Sequence, residues 1–260
     1  MSLFLSGLPL WVMAILLVVV PTLIATAVLI LIRKRIGLAR LTTNNEVAGF
    51  KFAVVGVIYA VLLAFAVIVV WGRYNDAEEA VIKEAGAAAT LYRLAAGLEP
   101  EARGMRTGLN KYLRLASERD WPQMAAERES PDVTGALDEL YASAIELVKE
   151  DSRESAVDIQ IFKQLDAMTE ARRARLHLAI GIVPVVLWEA LVVGGMLTVG
   201  FTFFFATENL KAQVLMTCIL AIIVFMGLFV IIAIDHPFTG PVHIDSGPLQ
   251  LVLRDFGGAG

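Results

Sequence analysis

Glu189 stands in the stretch VPVVLWEALVVGG (Val183–Gly195), inside an apolar run that reads from Leu178 to Ala206. A carboxylate at hydrocarbon depth costs at least about 2.5 kcal/mol if it stays charged and unpaired. The position therefore implies one of two chemistries. Either Glu189 is a hydrogen-bonded, neutral group between helices, or it is ionised and faces water on a path through the membrane. The apolar runs, this one included, offer hydroxyls (Thr22, Thr26, Tyr59, Thr198, Thr202, Thr217) but no base. A salt bridge inside the membrane is thus not available within one copy of the chain.

Two further clusters could carry chemistry. Thr43-Asn44-Asn45-Glu46 precedes the second apolar run and has the Thr-x-x-Glu form of a capping box. Its functional reading is a polar ring at a pore mouth, where Asn44, Asn45 and Glu46 from several copies would meet on an axis. Asp235-His236-Pro237, with His243 and Asp245 nearby, supplies nitrogen and oxygen groups of the kind zinc takes. The spacing fits no standard metal signature, so Asp235 reads as the end of a span and Pro237 as its stop. No nucleophile set of serine, histidine and acid is apparent, nor is a glycine-rich phosphate loop. Neither an enzyme, a metal site nor a cofactor is expected. The net charge of −4 lacks the basic footprint of nucleic-acid binding.

The elements that position these residues follow from composition. The chain is 57% hydrophobic and only 18% charged, against about 25% charged in soluble domains. The excess is concentrated in four runs nearly free of charge: Leu8–Ile32, Phe52–Trp71, Leu178–Ala206 and Ala212–Ile234. Each has the roughly 20 residues a helix needs to cross about 30 Å of hydrocarbon. Backbone amides in lipid must be satisfied internally, so such runs are helices. The first run is not a secretory signal, because its basic cluster Arg33-Lys34-Arg35 follows it rather than precedes it. The lone Cys218 excludes an intrachain disulfide.

Between the second and third runs, residues 72–177 hold 15 of the 22 basic and 20 of the 26 acidic residues. Ala, Leu, Glu and Arg dominate, so this part is helical. Breaks at Glu99-Pro100, Trp121-Pro122, Ser130-Pro131 and near Asp151-Ser152 divide it into four pieces. Met105, Leu109, Tyr112, Leu113 and Ala116 form one helical stripe, and Ile161, Leu165 and Met168 another. The acids read as solvated faces with pairs such as Glu79 and Lys83. No turn signal separates this part from the second or third run, so both are expected to leave the membrane as continuous helices. A short tail helix, Leu249–Phe256, is expected after Ser246 and Pro248. Gly181, Gly194, Gly195 and Gly200, with Pro184, imply close helix approach or bending in the third run.

The fold class is all-α, with four transmembrane helices and a helical soluble domain inserted between the second and third. Its parts are a first hairpin (1–71), the inserted domain (72–177), a second hairpin (178–234) and a tail (235–260). A multi-pass inner-membrane protein follows. The basic first loop leans cytoplasmic, which places both termini and the helical domain on the other side.

The stretch NNEVAGFKFAVVGVIYAVLLAFAVIVVWGRYNDAEEAV, together with LYRLAAGLEPEARG, Trp121-Pro122-x-Met124, LDAMTEARRARL and DHPFTG, resembles the bestrophin-like domain family of bacterial integral membrane proteins. The resemblance covers about Asn44 to Leu249. It implies similarity to bestrophins, which are pentameric anion channels whose second helix lines the pore and whose soluble part is cytoplasmic. That is opposite to the charge-based orientation. No site residues are carried over from the family.

Two functions are weighed. In the first, a homo-oligomer in the lipid bilayer conducts small ions, with Phe52, Gly56, Tyr59 and Leu63 on one stripe of the second helix as the constriction. In the second, the chain is a membrane-anchored sensor or scaffold whose helical domain binds a partner or ligand.

Overall fold

The computed structural model describes residues 7–43, 45–150, 156–181 and 183–257, and among them there are helices and turns but no strand. They form two compact units. The first contains residues up to Gly72, then Gly181–His236 and Gly240–Val242; the second contains Arg73–Ile180, Pro237–Thr239 and His243 onward.

The helices are α1 (Leu10–Ile36), α2 (Leu38–Thr42), α3 (Asn45–Ala96), α4 (Arg103–Leu115), α5 (Trp121–Met124), α6 (Pro131–Glu150), α7 (Ala156–Leu178), α8 (Val185–Phe201), α9 (Leu210–Ile234) and α10 (Gly247–Gly257). Four helical stretches are long and apolar enough to cross a bilayer: α1, α3, α8 with its 3-10 extension to Phe204, and α9.

Local chemistry explains the boundaries. α3 runs for 52 residues because nothing in it breaks a helix; it stops where Gly97 closes the last turn onto Arg93 and Leu94 carbonyls and Pro100 follows. The expectation that α7 and the third span would be one helix does not hold. α7 ends at Leu178, and Pro184 is the N-cap of α8 in extended geometry, with φ −57° and ψ 146°. A proline ring lacks the N–H and crowds the preceding turn, so the helix restarts there. Two prolines inside helices act more mildly. Pro21 in α1 and Pro122 in α5 each follow a π-helical turn, Ile15–Val19 and Ala116–Asp120, which absorbs the missing hydrogen bond.

In the first unit α1 and α8 both pack on α9. Tyr59, Ala25, Val199, Ala221 and Val224 form one buried cluster, and Met13, Ile232 and Ala233 another. In the second unit the two sequence stripes are the core: Met105, Leu109, Tyr112, Leu113 and Ala116 of α4 and its π turn meet Ile161, Leu165 and Met168 of α7, with Leu91, Leu140 and Leu249. The tail helix is present as α10, begun by Asp245 Oδ1 accepting from Gly247 N–H (2.8 Å), with Ser246 Oγ accepting from the Gln250 amide (2.8 Å).

Candidate functional site

Within the first unit, α3 has two faces. Phe52 lies 6.0 Å from the Phe201 ring and 5.7 Å from Phe205, centroid to centroid. The Tyr59 hydroxyl donates to the Leu191 carbonyl (3.2 Å), and its ring occupies the space a side chain would take at Gly194 and Gly195. Leu63 fills the corresponding space at Gly227. Gly56 is half-buried on the same side. The stripe proposed from sequence is thus spent on packing inside the unit, and the glycines of α8 serve as its receptors. The opposite face is apolar and exposed: Phe50, Val54, Val57, Ile58, Val61, Phe65, Ile68 and Val69. A helix that is hydrophobic all round belongs in lipid or against other helices.

At the start of α3 the polar residues are structural. Asn45 bridges Ala206, its amide donating to the carbonyl (2.8 Å) and its oxygen accepting from the N–H (3.2 Å). Arg33 donates to the carbonyls of Thr207 (2.7 Å) and Glu208 (2.8 Å) and to the Gln213 side chain. The first loop is thereby clasped to the α8–α9 loop. The capping box expected at Thr43 is replaced by a different bond: Thr43 Oγ1 donates to the Ala39 carbonyl (2.7 Å), finishing α2. Glu46 is exposed, and Asn44 lies outside the described residues.

Glu189 falls in the second turn of α8, because that helix starts at Val185 rather than at Leu178. Its depth is better read from α3. Tyr59 is level with Gly194 and the two helices run antiparallel, so Glu189 is level with about Ala64. That is roughly 10 Å inward of Trp71 at 1.5 Å per residue. Glu189 is exposed beside Val185, Val186 and Ala190. It makes no hydrogen bond or ion pair among the described residues.

The second unit holds a constellation that sequence reading missed. Glu84 and Asp120, taken above as solvated acids, are fully buried, together with Arg175 and Arg172. Arg175 Nε and Nη2 grip Glu84 in a fork (2.7 and 3.0 Å), and Nη2 also reaches Asp120 (3.2 Å). Arg172 holds Asp120 through Nε (3.0 Å) and Nη2 (3.3 Å) and reaches Thr134 Oγ1 (3.2 Å). Asp120 accepts from Ser130 N–H (3.1 Å), and Tyr112 donates to Glu84 (2.6 Å). The Arg175 guanidinium lies 4.5 Å from the Trp121 ring centroid. Burial alone would lower the Arg175 pKa, but the Glu84 carboxylate outweighs it and the net shift is upward. Burial, then the Glu84 charge, pushes the Tyr112 phenol well above its ordinary value of 10.0. Two acids and two bases balance, so the cluster is a closed ionic lock rather than a free charge. Arg172 and Arg175 at i,i+3 were the available signal, since both point to one face of α7. Asp120 gave none, because its aim depends on the π turn before Pro122.

Asp235 and His236 are buried at the end of α9. Asp235 Oδ1 accepts from Val183 N–H (3.1 Å) and Oδ2 lies 3.5 Å from His236 Nδ1. The imidazole fills the space beside Gly181, where a Cβ would come within 2.7 Å of Nε2. Among the described residues no group of three or more His, Cys, Asp or Glu could hold a metal ion.

Comparison with known proteins bears on this geometry. The Bestrophin-like domain family matches over residues 19–249. A variant of a bacterial bestrophin homologue from Klebsiella pneumoniae has the same fold, with a TM-score of 0.74 at 13% identity over 92% of this chain and 97% of that one. Another structure of a bacterial bestrophin homologue from Klebsiella pneumoniae, phased on zinc, gives 0.73 at 14% over 92% and 96%. A third, described as a membrane protein, gives 0.73 at 15% over 91% and 96%. No curated protein matches the chain. Fold and apolar helices together define an all-α membrane protein with the bestrophin-homologue fold. The chain belongs to the Bestrophin-like domain family.

Proposed function

We propose that the protein is the subunit of a homo-oligomeric ion channel that crosses the inner membrane four times. The observation that carries this reading is the division of α3 into two faces. One face is consumed by Phe201, Leu191, Gly194, Gly195 and Gly227. The other, from Phe50 to Val69, is apolar and exposed among the described residues. Copies arranged about an axis would bring Val54, Val61, Phe65 and Ile68 together as stacked apolar rings, the form of a constriction that gates by dewetting. Phe52, Gly56, Tyr59 and Leu63 then act behind the path, fixing the register of α3. Glu189 supports the same assembly, since an exposed carboxylate at its depth is stable only where water or another copy meets it. Family membership favours transport over a scaffold, and anions are the cargo that the bestrophin resemblance suggests.

The test is ion flux in liposomes loaded with a halide-sensitive dye. The full chain is expected to pass small ions, and Phe65→Ala, which removes the bulkiest of these side chains, should raise the flux several-fold. Impermeable vesicles containing correctly folded protein, or a monomer by detergent-corrected mass, would leave the sensor or scaffold reading in its place.

A further inference from the structure

We infer that the first unit binds the headgroup of an anionic phospholipid between Lys34 of α1 and Lys211 of α9. This stands whether or not the assembly conducts ions. All the Lys and Arg residues of that unit fall between Arg33 and Lys51 or at Lys211. The bonds of Arg33 to Thr207, Glu208 and Gln213 bring the end of α1 level with the start of α9. Only Glu46 and Glu208 accompany these cations; the unit's other acids, Glu189 and Asp235, sit toward the opposite ends of α8 and α9. Lys34 and Lys211 are exposed, and neither side chain makes a hydrogen bond or ion pair among the described residues. A cation in the last turn of α1 suits the helix dipole, which gives Lys34 an ordinary structural reason. Lys211 has no such reason, because the first turn of a helix favours acids.

Each of the two cations ends an apolar stripe. Leu23, Ala27, Ile30 and Lys34 follow one another at helical spacing on α1, as do Lys211, Leu215, Ile219 and Ile222 on α9. All are exposed except Ile30, which is half-buried. α1 and α9 are antiparallel neighbours, and Thr26 Oγ1 lies 3.1 Å from Cys218 Sγ on the seam between them. At about 3.6 residues per turn both stripes fall on the same side of that seam. Each stripe is about 16 Å long at 1.5 Å per residue, which matches one leaflet of a core about 30 Å thick. Lipid tails lie along the stripes, and the flexible lysine stems carry both ammonium groups to headgroup level. Charge decides the occupant. A second copy inserted in the same orientation brings the same excess of cations to this level, so it adds positive charge where negative is needed. A zwitterionic headgroup has no net charge to offer. An anionic phospholipid does, and Lys and Arg beside a membrane span attract such lipids.

The experiment uses the full chain, reconstituted in vesicles of equal parts phosphatidylcholine and phosphatidylglycerol and extracted in mild detergent. Mass spectrometry of the retained lipid is expected to show phosphatidylglycerol in several-fold excess over phosphatidylcholine. Lys34→Gln combined with Lys211→Gln should return that ratio toward parity, with helicity checked by circular dichroism. Either single substitution should lose part of the excess, which keeps the test open if the double variant does not fold. Arg35→Gln combined with Arg40→Gln removes the same charge from the same end but off the stripes, and should keep the excess. Parity in the parent, an undiminished excess in the folded lysine variants, or an equal loss in the arginine variant overturns the proposal. Displacement of the lipid by excess inorganic phosphate also overturns it, because the lysines then hold a free anion. So does disulfide cross-linking of Leu215→Cys copies in the vesicles beyond that of the parent, because a second copy then covers the stripes.

Discussion

Removing the Arg175 guanidinium would leave Glu84 buried without a cation, held only by the Tyr112 hydroxyl, while Asp120 keeps Arg172. Breaking a buried pair from one side costs about 3–5 kcal/mol, more than the intact pair contributes, because the remaining charge keeps its desolvation penalty. Arg175→Ala is therefore expected to destabilise the helical domain by that amount in chemical denaturation. Arg175→Lys should rescue it only in part, since an ammonium cannot reproduce the fork onto Glu84. Tyr112 predicts a pH dependence. Its phenol is raised above 10.0 by burial and then by Glu84, so the folded state holds its proton after the unfolded state has released it. The neutral phenol's contribution is fully present below pH 10 and is lost as pH rises toward the folded value. Thermal unfolding should show falling stability above about pH 10, with a shallower decline in Tyr112→Phe. Tyr74 and Tyr141, also raised by burial, keep part of the slope in that variant.

At the scale of elements, the glycines of α8 differ in what surrounds them. A Cβ at Gly195 would lie 2.9 Å from the Tyr59 hydroxyl and 3.2 Å from Val224, both fixed in the unit's core. Gly195→Ala is expected to cost about 1–3 kcal/mol through overpacking and to loosen α3 from α8. A Cβ at Gly200 meets nothing within 4 Å, so Gly200→Ala should be neutral or stabilising, by up to about 1 kcal/mol from helix propensity. Thermal stability of the two variants in detergent gives the comparison. Equal losses at both positions would mean that helix bending rather than the Tyr59 contact sets the need for glycine. The π turns make a related point, since each lets a proline sit inside a helix and re-aims the residues beside it.

For the whole molecule, Glu189 links one chain to its surroundings. It has no partner among the described residues, so Glu189→Gln should leave the chain's own stability within about 0.5 kcal/mol, as for surface substitutions away from special contacts. Under the channel reading the same variant changes ion selectivity or flux while the oligomer's mass stays constant. Flux and mass both unchanged would take Glu189 off the path, and a loss of mass would place it between copies.

The four apolar helices, the helical character of residues 72–177, the core stripes of α4 and α7 and the tail helix were all legible in the chain, because length, hydropathy and 3.6-residue periodicity are local quantities. Membership of the family was legible too, carried by motifs from Asn44 to Leu249. Tertiary structure alone decided which face of α3 is spent and which is bare, since an all-apolar helix has no polar face to mark its outside. It also decided that Glu84 and Asp120 are buried. An acid's burial depends on partners brought from elsewhere in the sequence, here Arg175 lying 91 positions from Glu84, and no local pattern records such a pairing.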